Sequence, residues 1–399
     1  MSILTAPGTT DPSVLREAVA LAHRIGKETA AVHAADVDRE GRFPKETVDA
    51  FRAERLLGAM VPTELGGLGH DVRTTAAIVR TVARYCASSA MILAMHHIQV
   101  ASLVRHGRSE ALRDYARRVA AEQLLLASAT TEVGIGGNTR NSSCYVERVG
   151  DDGPGQTFKV TKQAPVISYG QYADAIFTTA RRAEDSPASD QVLAVCESAA
   201  VHLTPLSGWD TMGFRGTCSL GFTLEATGDA ALIHDDSFGD ISAQTMLPVA
   251  HLLWGSLWLG LAEEASWRAQ RFVQKAARKN PGQTPPASAR LAALMVTRQE
   301  FAASVDSMMT RYEQIQDDPE ALGSIDFMVA INTLKISAST EVVDVVNQAL
   351  LICGIQGYRE DTEFSLGRLL RDAHGAAVMV NNDRIAGNTA QLALMQREF

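Results

Sequence analysis

An α+β fold is predicted, with an α-helical N-terminal domain over residues 1–123, a β domain over 124–235 and a C-terminal α-helical bundle over 236–399. Three observations lead there. Apolar residues recur at helical spacing through the first part of the chain, Asp11 to Arg118. From about Leu124 to Ile233 the period shortens to alternation, and Gly, Asp and Pro clusters separate the runs. Beyond Gly239 long apolar helical patterns return and continue almost to the end. At 399 residues the chain is long enough for two or three cores.

The first helical pattern covers Val14–Val32, and a second, Lys45–Leu57, follows Pro44. Pro and Gly then break the pattern in MVPTELGGLGHD, Met60 to Asp71. Arg73–Ala90 and Met91–His106 read as two strongly apolar helices. His96 and His97, inside the second, read as packed or partly exposed helix residues, since histidine is commonly of intermediate burial. Cys144–Val149, Phe158–Val160, Ala175–Ala180 and Val192–Cys196 alternate as strands do. Ala243–Arg278 is a long helix with Trp254 and Trp258 four apart on one face. Pro285–Gln316 and Phe327–Ile352 follow, the latter closed by Gly354. Arg368–Val380 and Ile385–Met395 complete a set of long antiparallel helices, which pack as a bundle.

Hydrophobic residues at 46% and charged residues at 21% describe an ordinary globular protein. A net charge of -9, with no Lys/Arg block to overcome it, argues against nucleic acid. No uninterrupted apolar run reads as long enough to cross a bilayer, and Met1–Pro12 lacks a signal pattern, so no membrane partner is expected. Five cysteines without CxxC spacing suit reduced thiols in the cytoplasm, and no metal site is expected.

The stretch TTEVGIGGNTR, Thr130 to Arg140, follows the apolar run Leu124–Ala129. Its glycines, Gly134, Gly136 and Gly137, permit a tight turn and close backbone approach to a ligand. Thr130, Thr131 and Asn138 add short hydrogen-bonding side chains. Composition alone leaves an ordinary loop equally open. The spacing matches neither the dinucleotide fingerprint nor the P-loop.

This run resembles the T-E-P-G-x-G-S-D segment of the acyl-CoA dehydrogenase family, with Val133, Gly137 and Asn138 replacing the proline, serine and aspartate. Further resemblances follow in the family's order: VPTELGGLG in Met60–Asp71, KQAPVISYGQYADAIF over Lys162–Phe177, MGFRGTCS over Met212–Ser219, RKNPG over Arg278–Gly282, GIQGY over Gly354–Tyr358, and RDAH over Arg371–His374. The resemblance implies a central β-barrel or sandwich between helical domains, a C-terminal four-helix bundle, and FAD as cofactor. It implies flavin contacts from Thr130, Thr131, Gly136, Gly137, Ser168 and Asn382. Arg278, Gly354 and Gly357 would serve a neighbouring subunit's FAD, so a homo-oligomer, dimer or tetramer, is expected. His96, His97 and Trp254 would line the acyl pocket. Arg215, by its position in the tight turn, reads as a structural residue holding nearby carbonyls.

The family's proton-abstracting glutamate, nine residues past the RDAH arginine, falls on Val380, and its alternative place on the long helix falls on Ala250. Neither side chain accepts a proton, and without a base α,β-desaturation slows by ~10²–10⁴-fold. Asp383 is the candidate displaced base, with Glu263 and Glu264 more distant. Alternatively, Asn-Asn-Asp at 381–383 closes one helix and caps the next, an Asn in the left-handed position and Asp383 as N-cap. The resemblance therefore implies an FAD-dependent oxidoreductase acting on an acyl-CoA or acyl-carrier-protein thioester, with atypical chemistry or a relocated base and an electron-transfer partner or oxygen as acceptor. The alternatives are a flavin-dependent monooxygenase on the same fold, or a flavin-binding paralogue without activity.

Overall fold

The computed structural model describes residues 11–134, 141–151, 153 and 155–395. The N-terminal helices are α1 (Pro12–Ile25), α2 (Ala31–Glu40), α3 (Lys45–Ala53), α4 (Val72–Ala83), α5 (Ala87–His106) and α6 (Glu110–Glu122). A π turn at Gly26–Ala30 makes α1 and α2 nearly continuous. Side-chain caps set several starts: Asp11 accepts from Ser13 N–H before α1, Asp71 from Thr74 before α4, and Ser109 from Leu112 before α6. Such caps satisfy first-turn donors that no helical carbonyl can reach. Arg73–Ala90 is not one helix: the chain leaves α4 after Ala83, and Ala87–Ala90 open α5. The expected break at Met60–Asp71 holds a single 3-10 turn, Thr63–Leu65, closed by Gly66 at φ +86°.

Among the described residues seven strands follow: β1 (Leu126–Ala129), β2 (Val146–Val149), β3 (Thr157–Ala164), β4 (Ala175–Arg181), β5 (Gln191–Glu197), β6 (Val201–Ser207) and β7 (Gly221–Asp229). They form two sheets, one in the order β1-β4-β5 and the other β2-β3-β7-β6. The first sheet is covered on both faces. Ala175, Phe177, Leu193 and Val195 pack with Tyr115 and Val119 of α6, while Ile176, Val192 and Ala194 join a core with Phe158 and Val160 of the second sheet. β4 and β5 are therefore continuously buried, not alternating as expected of Ala175–Ala180 and Val192–Cys196, because both faces are covered. β3, with one face outward, alternates cleanly between buried and exposed. β6 escaped the sequence reading; it is an edge strand, mostly exposed, where Pro205 is tolerated.

The C-terminal region contains α7 (Phe238–Ile241), α8 (Leu247–Lys279), α9 (Ser288–Ile315), α10 (Pro319–Gly323), α11 (Ile325–Cys353), α12 (Ile355–Tyr358), α13 (Gly367–Val378) and α14 (Asn382–Met395). α8 packs against both α4 and α11. Gly260 allows the first of these contacts, since a Cβ there would lie 2.2 Å from the Arg80 carbonyl. Three helical spans, Ala87–His106, Phe238–Lys279 and Ile325–Cys353, are long and apolar enough to cross a membrane, contrary to the sequence expectation. The first two are spent on the core, with 89% of their most apolar windows buried.

Candidate functional site

A cleft of about 480 Å³ opens where the start of α8, the start of α11, the α13–α14 turn and the leading edge of β5 meet. Phe238, Leu247, Leu322, Phe327, Ile331 and Val380 make its walls apolar, and Gln191, Ser242, His251, Asn332, Arg384 and Asn388 supply polar groups. Among the described residues, no aspartate or glutamate lines it.

His251 is the residue that sequence reasoning missed by one position. Ala250 beside it is buried among hydrocarbons, whereas His251 lines the cleft with its Nδ1 3.1 Å from the Ile331 carbonyl. A carbonyl only accepts, so Nδ1 carries the proton and Nε2 the lone pair. Burial pushes the ring down to about 4, so the imidazole is neutral at neutral pH.

Val380, at the family's glutamate position, stands on the cleft wall with φ +46°, a left-handed conformation costly for a β-branched residue. A second missed residue, Lys335 of α11, holds it there. The fully buried ammonium donates to the Val380 carbonyl (3.0 Å), the Ala376 carbonyl (3.2 Å) and Asn382 Oδ1 (2.7 Å), and lies 5.8 Å from the centre of the Trp258 ring. Burial lowers its pKa to about 8, while three oxygen acceptors, which favour the charged form, work against that shift. The only sequence signal was a lone cation inside the apolar run 327–352.

The expected flavin-binding edge is built from two laced loops. Ile167 N–H donates to Leu220 O and Tyr169 N–H to Thr217 O, both at 2.8 Å. Tyr169, Phe214 and Cys218 all adopt left-handed φ, so three non-glycine strains concentrate here. Ser219 Oγ donates to Ser168 Oγ at 2.8 Å and is itself 2.8 Å from Thr217 Oγ1. Ser168 accepts in that chain, which leaves its own proton free to be given outward. The Thr131 hydroxyl reaches Val166 O at 3.5 Å, two residues from Ser168. The Ser168 hydroxyl, with its proton uncommitted in this chain, suits the oxygen- and nitrogen-bearing edge of a flavin.

Below this edge, Glu132 and Lys162 form a buried pair at 3.6 Å, with side chains 4% and 1% exposed. Ser142 Oγ, Ser143 N–H and Cys144 N–H donate to Glu132, and Lys162 donates to Thr179 O and Oγ1. Burial alone would raise the Glu132 carboxyl; the serine hydrogen bonds outweigh it and hold the group below its usual range. The Phe214 turn is joined to the cleft through α13. Asp372 accepts from Phe214 N–H at 2.6 Å, and Arg371 grips Asp38 with both guanidinium nitrogens (2.9 and 2.6 Å) while reaching the Met212 carbonyl. Arg215 donates to the Asp38 and Thr211 carbonyls, the structural role expected of it.

The remaining expected site residues divide. Thr130, Thr131 and Ser168 lie on one edge of the β domain, while Gly136, Gly137 and Asn138 fall outside the described residues. Asn382 is corrected: Lys335 and Ser339 occupy its amide inside the bundle. His96 and His97, 0% and 1% exposed, are the packed helix residues their sequence pattern predicts, and neither takes the pocket place the resemblance implied in this cleft. The His96 ring joins Leu57 O to Leu126 N–H and so ties α5 to β1. Trp254 is buried behind His251, ring centres 6.0 Å apart, and does not line the cleft. Asp383 is exposed in the first turn of α14 and is not on the cleft, which removes it as a base. The expected cap is shifted too: Val380 takes the left-handed position, and the Asn381 side chain accepts from Asp383 N–H. Glu263 pairs with Arg80 and Glu264 with Arg268. Arg278 ends α8, and Gly354 (φ +55°) ends α11. At ~1.5 Å per residue, both lie roughly 35–40 Å along their helices from the cleft.

Comparison with known proteins matches this geometry. Residues 14–123 fit the model of the acyl-CoA dehydrogenase N-terminal domain, and residues 239–386 that of its C-terminal domain. An L-evernosamine nitrososynthase from Micromonospora sp. is 28% identical over 88% of this chain and 83% of its own length. A 3-sulfinopropanoyl-CoA desulfinase from Paraburkholderia xenovorans is 25% identical, covering 94% and 96%. The crystal structure of a dibenzothiophene monooxygenase from Paenibacillus sp. A11-2 superimposes with a TM-score of 0.80, covering 96% of this chain and 98% of that one at 19% identity, which speaks to the fold. With both terminal domains matched and the β domain in place between them, the chain belongs to the acyl-CoA dehydrogenase family of flavoprotein oxidoreductases.

Proposed function

We propose that this family member is a flavin-dependent oxygenase rather than a desaturase of acyl thioesters. One observation carries the reading: the cleft has hydrocarbon at Val380 and no carboxylate on its described walls. α-Proton removal needs an acceptor within hydrogen-bonding reach and tuned for transfer. Burial disfavours the charged imidazolium that proton removal would leave on His251. A reduced flavin, when bound, supplies the electrons that activate dioxygen; FAD is the cofactor the family resemblance implies. The chain's own part is to hold the flavin edge at Thr131 and Ser168 and to exclude water with the apolar walls. A relative from Pseudomonas putida named as a probable FMNH2-dependent monooxygenase, 22% identical over 90% of this chain, supports an oxygenating activity. A thioester substrate is the second reading, favoured by the near-complete match to a desulfinase named for a CoA thioester.

The electron donor is a partner reductase, and the protein works as a homo-oligomer. Leu351, Ile355 and Tyr358 are 66%, 67% and 74% exposed around Gly354, an apolar surface suited to a second copy. The distance of Arg278 and Gly354 from the cleft supports their service to a neighbour's flavin. The five unpaired thiols suit a cytoplasmic protein. Oxygen uptake by the purified protein tests the reaction: with a flavin reductase, NADH and FAD, uptake coupled to product formation is expected. Product formation without oxygen or reductase contradicts the reading.

A further inference from the structure

Among the described residues His251 is the one imidazole on the cleft wall, and its two nitrogens have opposite duties. Nδ1 is committed as a donor to the Ile331 carbonyl of α11. That commitment leaves Nε2 as an acceptor, and no hydrogen bond among the described residues engages it. Burial keeps the ring unprotonated, so Nε2 is an acceptor throughout the neutral range. The Trp254 ring packs against the imidazole at 6.0 Å and helps fix its plane. Around it the cleft mixes apolar walls with uncharged polar groups and Arg384, and among the described residues no carboxylate lines it to offer a cationic group a counter-charge.

We propose that His251 selects the substrate: its Nε2 accepts a hydrogen bond from an N–H or O–H group carried, in neutral form, by a largely apolar molecule in the cleft. The proposal rests on the oxygenase reading only in taking this cleft as the substrate site. A molecule lacking the donor leaves a lone pair desolvated and unpaired, which costs affinity even when its shape fits. A protonated amine is disfavoured, because its charge would be buried among hydrocarbons.

Indole and 1-methylindole differ at one nitrogen, an N–H in the first and an N–CH3 in the second, and their binding to the intact oxidised flavoprotein is read by titration calorimetry, with His251→Asn separating the lost donor from the added methyl. No turnover is needed, so failure of this test and failure of the oxygenase reading are separable. Indole is expected to bind about tenfold tighter than 1-methylindole, the worth of one buried hydrogen bond. In His251→Asn, whose amide retains a donor toward Ile331, that preference is expected to vanish while 1-methylindole affinity stays put. His251→Gln, which places an acceptor near Nε2, is expected to restore part of it. In the wild-type protein, the histidine ¹⁵Nε2 resonance is expected to shift with indole and not with 1-methylindole, a readout independent of whether the variants fold. Equal affinities in the wild type, an unmoved resonance, no indole binding, or a preference that persists in His251→Asn would overturn the proposal.

Discussion

The Lys335 ammonium donates to the Val380 carbonyl across 3.0 Å, so a buried cation on α11 pins the left-handed residue that forms the cleft wall. The same ammonium holds Asn382, the first residue of α14. Lys335→Met is expected to release this turn. Orphaning the acceptors costs roughly 1–3 kcal/mol, partly offset by removing a buried charge, for a net loss of about 1–2 kcal/mol. Because the folded pKa lies below the unfolded value, the unfolded chain binds the extra proton between about 8 and 10.5. The wild type therefore gains stability relative to Lys335→Met as pH rises through that window. Hydrogen exchange over residues 379–384 is the direct check; unchanged protection in the variant would rule out the clasp.

Glu132→Leu is expected to be among the most damaging single changes in the β domain. It leaves Lys162 buried without its carboxylate partner, a situation that typically costs about 3–5 kcal/mol. Urea unfolding measures it, and a loss under 1 kcal/mol would show that Thr179 alone satisfies the lysine.

Acid should weaken the fold before any carboxylate titrates in bulk. Burial holds His96, His234 and His251 each near 4, well under the ordinary 6.5. Unfolded chain takes up protons first, so stability present above about 6.5 is lost as pH falls toward 4, by up to about 3 kcal/mol per ring at ~1.4 kcal/mol per unit. Thermal melts between pH 7 and pH 4 are expected to show this fall, and His251→Asn should flatten one share of it. A melting temperature independent of pH over that range would contradict the neutral, buried imidazoles.

Asp383→Asn is expected to leave turnover unchanged and stability within about 0.5 kcal/mol, as for an exposed residue away from special contacts. A fall in turnover of tenfold or more would return Asp383 to the site.

Much of the fold was legible because it rests on local pattern. The period change near Leu124, the Pro/Gly break at Met60–Asp71 and the long apolar helices after Gly239 each reflect burial on a single element. β6 was not legible, since an exposed edge strand carries little apolar alternation. The site was harder to read. Motif order pointed to Thr131 and Ser168, and register pointed to Val380, but Lys335 and His251 act across helix pairs that no spacing along one helix reveals. His96 was legible as a packed helix residue, while its partner was not, since the ring is spent tying α5 to β1 across elements far apart in sequence.

The claim on which the rest depends is that the described walls of this flavoprotein's cleft carry no carboxylate to take an α-proton. It is tested most directly by mixing the oxidised flavin-loaded protein with a panel of saturated acyl-CoA thioesters under anaerobic conditions and following the flavin's visible absorbance. No bleaching beyond that of thioester-free controls is expected. Rapid bleaching by any member of the panel would show that a base reaches the substrate after all.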